Sequence, residues 1–146
     1  MPQKRFSVHG VSETPARIVV SARQFKIIID EPPALGGEDK GANPVEYLLS
    51  AFAGCLNVVA HLVAKEMGIN IKRLEIQIDG ELNTDRLQGK KTTERAGFRI
   101  INVNMKIDSD ADSGTLERWL AAVKDRCPVS DNIANPTPVN IGFQKI

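Results

Sequence analysis

The stretch whose reading decides the fold is Asn43-Pro44-Val45-Glu46-Tyr47-Leu48-Leu49-Ser50-Ala51-Phe52-Ala53-Gly54-Cys55-Leu56-Asn57-Val58-Val59-Ala60. Asn43 suits a helix N-cap. Pro44 suits the first helical position, where the N–H it lacks would have had no partner. Glu46 then falls three residues after the cap, completing a capping-box-like arrangement. The helical pattern continues to Met67, and Gly68 is a C-terminal stop. The predicted helix, Pro44 to Met67, would be about 36 Å long at ~1.5 Å per residue. Its centre is apolar nearly all round, which predicts a buried core helix. The nearly apolar run Tyr47 to Ala60 is shorter than the ~20 residues of a membrane span, so no membrane association is expected.

On either side of this helix the pattern changes to strands. Upstream, Ile18 to Ser21 and Phe25 to Asp30 contain the β-branched runs Val19-Val20 and Ile27-Ile28-Ile29, joined near Ala22-Arg23-Gln24. Residues 1–14 are polar and read as a loose arm or an edge strand. Glu31 to Ala42, with Pro32-Pro33 and Gly36-Gly37, is a long loop of the kind that is usually functional or mobile. Downstream, Leu74, Ile76, Ile78 and Leu82 alternate with Arg73, Glu75, Gln77 and Asp79. Ile101, Val103, Met105 and Ile107 alternate with Asn102, Asn104 and Lys106. Period-two patterning on both sides of a polar loop predicts an antiparallel hairpin with one wet face. A second helix is expected over Ser113 to Arg126, with Leu116, Trp119, Leu120 and Val123 on one stripe. Pro128 stops it, and Val139 to Gln144 reads as a last strand. The expected class is α+β, antiparallel sheets on a long buried helix, in one domain spanning 1–146.

At 146 residues such a domain buries roughly 68–70% of its unfolded surface and needs no disulfide or metal staple. Nineteen Lys and Arg balance eighteen Asp and Glu, giving a net charge of +1. That balance supplies no basic footprint for nucleic acid. Lys4 and Arg5 are followed by no apolar segment, so a secretory signal is not expected and a cytoplasmic location is. Two cysteines in that setting read as free thiols.

The chemistry on offer centres on these thiols. Cys55 lies among Leu48, Ala51, Phe52, Val58, Val59 and Leu62 at helical spacing. In such surroundings a thiol is either an inert packing residue or, given a cation within reach, a reactive one. Cys127 is either the last residue of the preceding helix or the cap of a short helix starting at Pro128. Only the second position favours a thiolate. Glu46 is a capping residue and a candidate acid. Nine residues at 100° place it about 180° from Cys55 and ~13.5 Å away along the axis, so it reaches the thiol only through an intermediary. Arg23 lies at the predicted turn and Arg17 within a strand. His9 and His61 have no zinc-ligand spacing with the cysteines. Asp108-x-Asp110-x-Asp112 lacks the glycine and glutamate of a calcium loop. No metal and no organic cofactor is expected.

The run from Gly36 to Cys55, together with Cys127-Pro128-Val129-Ser130, resembles the OsmC/Ohr family of osmotically induced and organic hydroperoxide resistance proteins. The resemblance extends over about residues 16–146. It implies an intertwined homodimer with paired long helices, for which the small residues Ala51, Ala53 and Gly54 leave room. It also implies a thiol peroxidase, with Cys55 as peroxidatic thiolate and Cys127 as resolving thiol. An organic hydroperoxide would be the substrate and an external, lipoyl-type dithiol the reductant. In that scheme an arginine, Arg23 by choice and Arg17 second, serves the thiolate and is held by Glu46. Many peroxidase members place the glutamate directly after Asn-Pro; here Val45 intervenes, a change of ~100° around the helix. The competing reading is an OsmC-like dimer without peroxidase activity that binds an apolar small molecule or senses redox state.

Overall fold

A computed structural model describes residues 3–146. The order of elements is β1 (His9–Ser12), β2 (Ile18–Ala22), β3 (Phe25–Ile29), α1 (Pro44–Glu66), β4 (Ile71–Glu81), β5 (Ile100–Ser109), α2 (Ser113–Arg126) and α3 (Pro128–Ala134). The chain forms two compact units, one up to Ser50 and one from Ala51 on, with the boundary inside α1.

In the first unit β1, β2 and β3 form an antiparallel sheet in that order, with Val20 opposite Gly10 on one side and Ile27 on the other. The expected arm therefore includes an edge strand, His9–Ser12; Met1 and Pro2 lie outside the described residues. The β2–β3 turn is tight because Arg23 takes a left-handed backbone conformation, φ 55°. The loop after β3 contains one 3-10 turn, Pro33–Leu35, and folds around Asp30. Asp30 is 1% exposed, and its carboxylate accepts the backbone N–H groups of Glu31 (2.9 Å), Lys40 (3.1 Å) and Glu38 (3.2 Å). Gly37 is required there, since a Cβ at this position would sit 1.7 Å from the Glu31 carbonyl oxygen. The capping box closes as the sequence implies. Asn43 N–H donates to Glu46 Oε2 at 2.8 Å, and Glu46 N–H donates to Asn43 Oδ1 at 2.9 Å.

In the second unit β4 and β5 pair antiparallel, with Leu74 opposite Ile107, Ile76 opposite Met105 and Ile78 opposite Val103. Their apolar side chains share one face, as the alternation requires. Phe52, Leu56, Val59, Ala60, Val63 and Ala64 of α1 form the core with Ile69, Trp119, Val123 and Cys127. Trp119 is 2% exposed and satisfies its indole N–H on the Ala60 carbonyl at 2.9 Å. Asp112 caps α2 by accepting from Thr115 N–H at 2.8 Å. Gly68, with φ 69°, follows the end of α1.

Three expectations change. First, α1 is buried on one face only. Leu48, Val58 and Leu62 are 42%, 65% and 46% exposed, because one chain supplies partners for a single side of so apolar a helix. Second, the length argument against a span does not hold for α1 as a whole, whose 23 residues are long and apolar enough to cross a membrane by length and composition alone. Its Phe52–Ala64 stripe packs in the core, as in a core helix. Third, Val139 to Gln144 forms no strand: Val139, Ile141 and Phe143 are largely exposed and meet no ladder that would hold them.

Candidate active site

Cys55 and Cys127 are 72 residues apart in sequence, and their sulfurs lie 3.0 Å apart, sharing a hydrogen bond. Both are free thiols, Cys55 partly exposed and Cys127 buried. Cys55 is delivered from the core-facing side of α1, between the buried Phe52 and Leu56. Cys127 is delivered by the joint between α2 and α3, where it is at once the C-cap of one helix and the N-cap of the other. Pro128 makes this joint sharp, since it cannot continue α2 but is well placed to start α3. Of the two positions open to Cys127 from sequence, the structure selects the α3 cap. Its Sγ accepts the Ser130 N–H at 3.4 Å, and its carbonyl accepts the Asp131 N–H at 3.0 Å.

The electrostatics of Cys55 oppose ionisation. Burial, then the hydrogen bond to Cys127, push its thiol above the ordinary value, while the Val129 N–H pulls it down. Among the described residues no cation is among the influences on it. A largely apolar groove of about 550 Å³, walled by Phe52, Leu56, Met105, Leu116, Trp119 and Leu120, approaches the pair through residues next to the thiols; neither cysteine itself lines it. Leu120, expected in the core stripe, is 40% exposed and lines this groove. Phe52 and Leu56 flank Cys55 along α1. Ser130, the donor to Cys127, also lines the groove.

The other predicted residues have partners of their own. Glu46 is engaged in the capping box with Asn43. Arg23 lays its guanidinium over the Phe25 ring, 4.9 Å from the centroid. Of the two candidate arginines, Arg17 is the one held by carboxylates. It bonds Glu13 (2.9 Å) and Glu38 (2.8 Å) and lies 3.7 Å from Asp30. Those hydrogen bonds, Glu38 first, hold Arg17 firmly protonated. Sequence reasoning missed Asp30 and Glu38. The available signal was an acid closing a β-branched strand just before a glycine-rich loop. Among the described residues no group of three or more His, Cys, Asp or Glu is placed to hold a metal.

The sequence model of the OsmC-like protein family matches residues 37–142, a span that includes both thiols, Glu46 and the second half of the loop before it. A hydroperoxide reductase of Mycoplasma pneumoniae is 25% identical over 138 residues, covering 94% of this chain and 93% of that protein. An OsmC-like protein structure from Mycoplasma pneumoniae superposes with a TM-score of 0.79 at 25% identity, over 91% of this chain and 89% of the other. An organic hydroperoxide resistance protein OsmC from Legionella pneumophila superposes with a TM-score of 0.68 at 18% identity, over 91% of each chain, and shows the same fold. The chain belongs to the OsmC-like protein family.

Proposed function

We propose that this protein is a thiol peroxidase that reduces organic hydroperoxides to alcohols. The observation that carries the reading is the pair of free thiols with sulfurs 3.0 Å apart beside an apolar groove. The Cys55 thiolate attacks the terminal oxygen of R–O–O–H, the O–O bond breaks, and the alkoxide takes a proton and leaves as the alcohol. Cys55 is then a sulfenic acid. The Cys127 thiol attacks that sulfur, water departs, and a Cys55–Cys127 disulfide forms. A lipoyl-type dithiol reduces it by exchange and is itself oxidised to the cyclic disulfide, a cycle suited to a reducing compartment such as the cytoplasm. The groove favours greasy hydroperoxides over hydrogen peroxide, since apolar walls pay for themselves only against apolar substrate.

Burial raises the Cys55 thiol, so turnover near neutral pH requires a guanidinium brought to it. Arg23, stacked on the Phe25 ring and in no ion pair among the described residues, is the first assignment, and Arg17, already held by Glu13 and Glu38, the second. Glu46 is assigned to orient that arginine. The uncovered Leu48, Val58 and Leu62 stripe of α1 supports a homodimer in which a second α1 covers it. The raised Cys55 thiol also supports the second reading, a dimer that binds an apolar small molecule in the groove without turning over peroxide.

Cumene hydroperoxide consumption with dihydrolipoamide separates the two. The peroxidase reading expects rapid consumption by the wild type and a loss of at least about a hundredfold in Cys55→Ser, the range for removing a covalent nucleophile. It expects Arg23→Ala to slow Cys55 alkylation at pH 7, and Arg17→Ala to do so less. No consumption by wild type, with Cys55 alkylated only at strongly alkaline pH, defeats this reading in favour of binding.

A further inference from the structure

Glu66 is the last residue of α1 and Arg126 the last residue of α2. The two meet as a fork: Arg126 Nη1 donates to Glu66 Oε2 at 2.5 Å and Nη2 to Oε1 at 3.0 Å. A bidentate pair of this kind fixes orientation as well as distance. Each partner stabilises the charge of the other, so the Glu66 carboxyl is held below its ordinary value and Arg126 above.

The position of this pair relative to the thiols gives it a purpose. Eleven residues separate Cys55 from Glu66, about 16.5 Å along α1 and 1100° of rotation, so Glu66 lies within about 20° of the face that carries Cys55. Arg126 is followed directly by Cys127, whose sulfur contacts Cys55. Two consecutive residues therefore hold α1 at two points on one face, about three turns apart. A single contact would let the end of α2 pivot; two separated ones fix its direction. Upstream, the buried Trp119 N–H on the Ala60 carbonyl sets where α2 lies along α1. Val123, fully buried in the last turn of α2, adds an apolar contact, but such contacts are non-directional and leave the orientation of Arg126 and of Cys127 beyond it to be fixed by polar ones.

We propose that Glu66 and Arg126 are positioning residues for Cys127, and that their ion pair sets the approach of its sulfur to Cys55. The catalytic use of that approach rests on the peroxidase reading; the approach itself does not. It is measured by exchange with glutathione. One protein thiolate attacks oxidised glutathione, releasing one glutathione and leaving a mixed disulfide. The second protein thiol then attacks the protein sulfur of that bond and releases the second glutathione. One oxidised glutathione is consumed, two reduced ones form, and the equilibrium constant is the effective concentration of one protein thiol toward the other.

The experiment equilibrates the purified full chain in glutathione buffers and quantifies the Cys55–Cys127 disulfide by alkylation and mass spectrometry. Arg126→Ala and Glu66→Gln should each lower the effective concentration about three- to fivefold, the range of a well-oriented but part-exposed pair. Arg126→Lys, which keeps charge but loses the fork, should recover part of it. The exchange Glu66→Arg with Arg126→Glu should recover most. Unchanged equilibria in both single variants would overturn the proposal. So would a charge exchange that restores thermal stability without restoring the equilibrium, because the pair would then only fasten helix ends. Trapping of Cys55 sulfenic acid by dimedone after cumene hydroperoxide should show unaltered formation and slower loss to disulfide in Arg126→Ala. A wild type that forms no sulfenic acid refutes the peroxidase reading alone, and the glutathione equilibria still decide the role of the ion pair.

Discussion

Asp30 and Trp119 are both almost fully buried and both fix a backbone through hydrogen bonds, yet they stabilise their units by different physics. In the unit up to Ser50, one carboxylate gathers three backbone N–H groups and faces Arg17, while the strands around it stay half-exposed. In the unit from Ala51 on, a large apolar side chain fills the core and its single polar atom finds a carbonyl. A carboxylate hub is ordered by charge and is therefore sensitive to pH. An apolar core is ordered by exclusion of water and is nearly indifferent to it. The chemistry follows the division: the thiol pair and its groove are built in the apolar unit, and the candidate arginines in the charged one.

The largest expected effect breaks the apolar side of this comparison. Trp119→Ala should cost about 3–5 kcal/mol in urea denaturation, from the cavity it leaves and the lost indole hydrogen bond to Ala60. A loss no greater than that of a surface substitution would show that this core does not depend on the indole.

Asp30→Ala tests the charged side. It strands three donors, and amide exchange at Glu31, Glu38 and Lys40 should accelerate by roughly tenfold or more, with core amides such as Val123 unaffected. The sign of the accompanying pH dependence is fixed. Burial works to raise the Asp30 carboxyl, but the N–H groups of Lys40, Glu31 and Glu38 and then Arg17 outweigh it, and the folded value lies below the unfolded one. Its stabilisation is therefore complete above the ordinary aspartate value of about 3.9 and is lost as pH falls through the folded value. Wild-type protection of those three amides, relative to their intrinsic exchange, should fall on acidification below that point, and that dependence should vanish in Asp30→Ala. Protection that is flat with pH would remove the distinction between the units.

The smallest effect sharpens the comparison at the start of α1. Asn43→Ala removes the cap and should cost about 1 kcal/mol by thermal or urea unfolding, independent of pH above the carboxylate range. A null effect would mean that Tyr47, whose hydroxyl donates to the Ile28 carbonyl at 2.8 Å, anchors this end of the helix instead.

Much of the fold was legible because its signals are local. The Asn43-Pro44-Val45-Glu46 cap, the Gly68 stop, the alternation in β4 and β5 and the span of α2 depend on neighbours a few residues away, and each is found where the sequence places it. The failed strand at Val139 to Gln144 shows the limit of such reasoning. Alternation marks a segment able to form a strand, but a strand exists only where a ladder accepts its hydrogen bonds. The uncovered face of α1 fails for a related reason, since periodicity reports apolarity and not whether a partner surface is present.

For the site, sequence alone determined which groups are chemically able to react: two thiols, one embedded in an apolar helix and one at a proline-marked helix break. Only the tertiary structure decided that their sulfurs meet at 3.0 Å, that Cys127 caps α3, that Arg17 rather than Arg23 is the candidate arginine held by carboxylates, and that Glu66 and Arg126 join the helix ends. Each of those facts joins residues distant along the chain or turns on how two elements meet. Such contacts are set by how helices and strands pack, and no local pattern of residues records them.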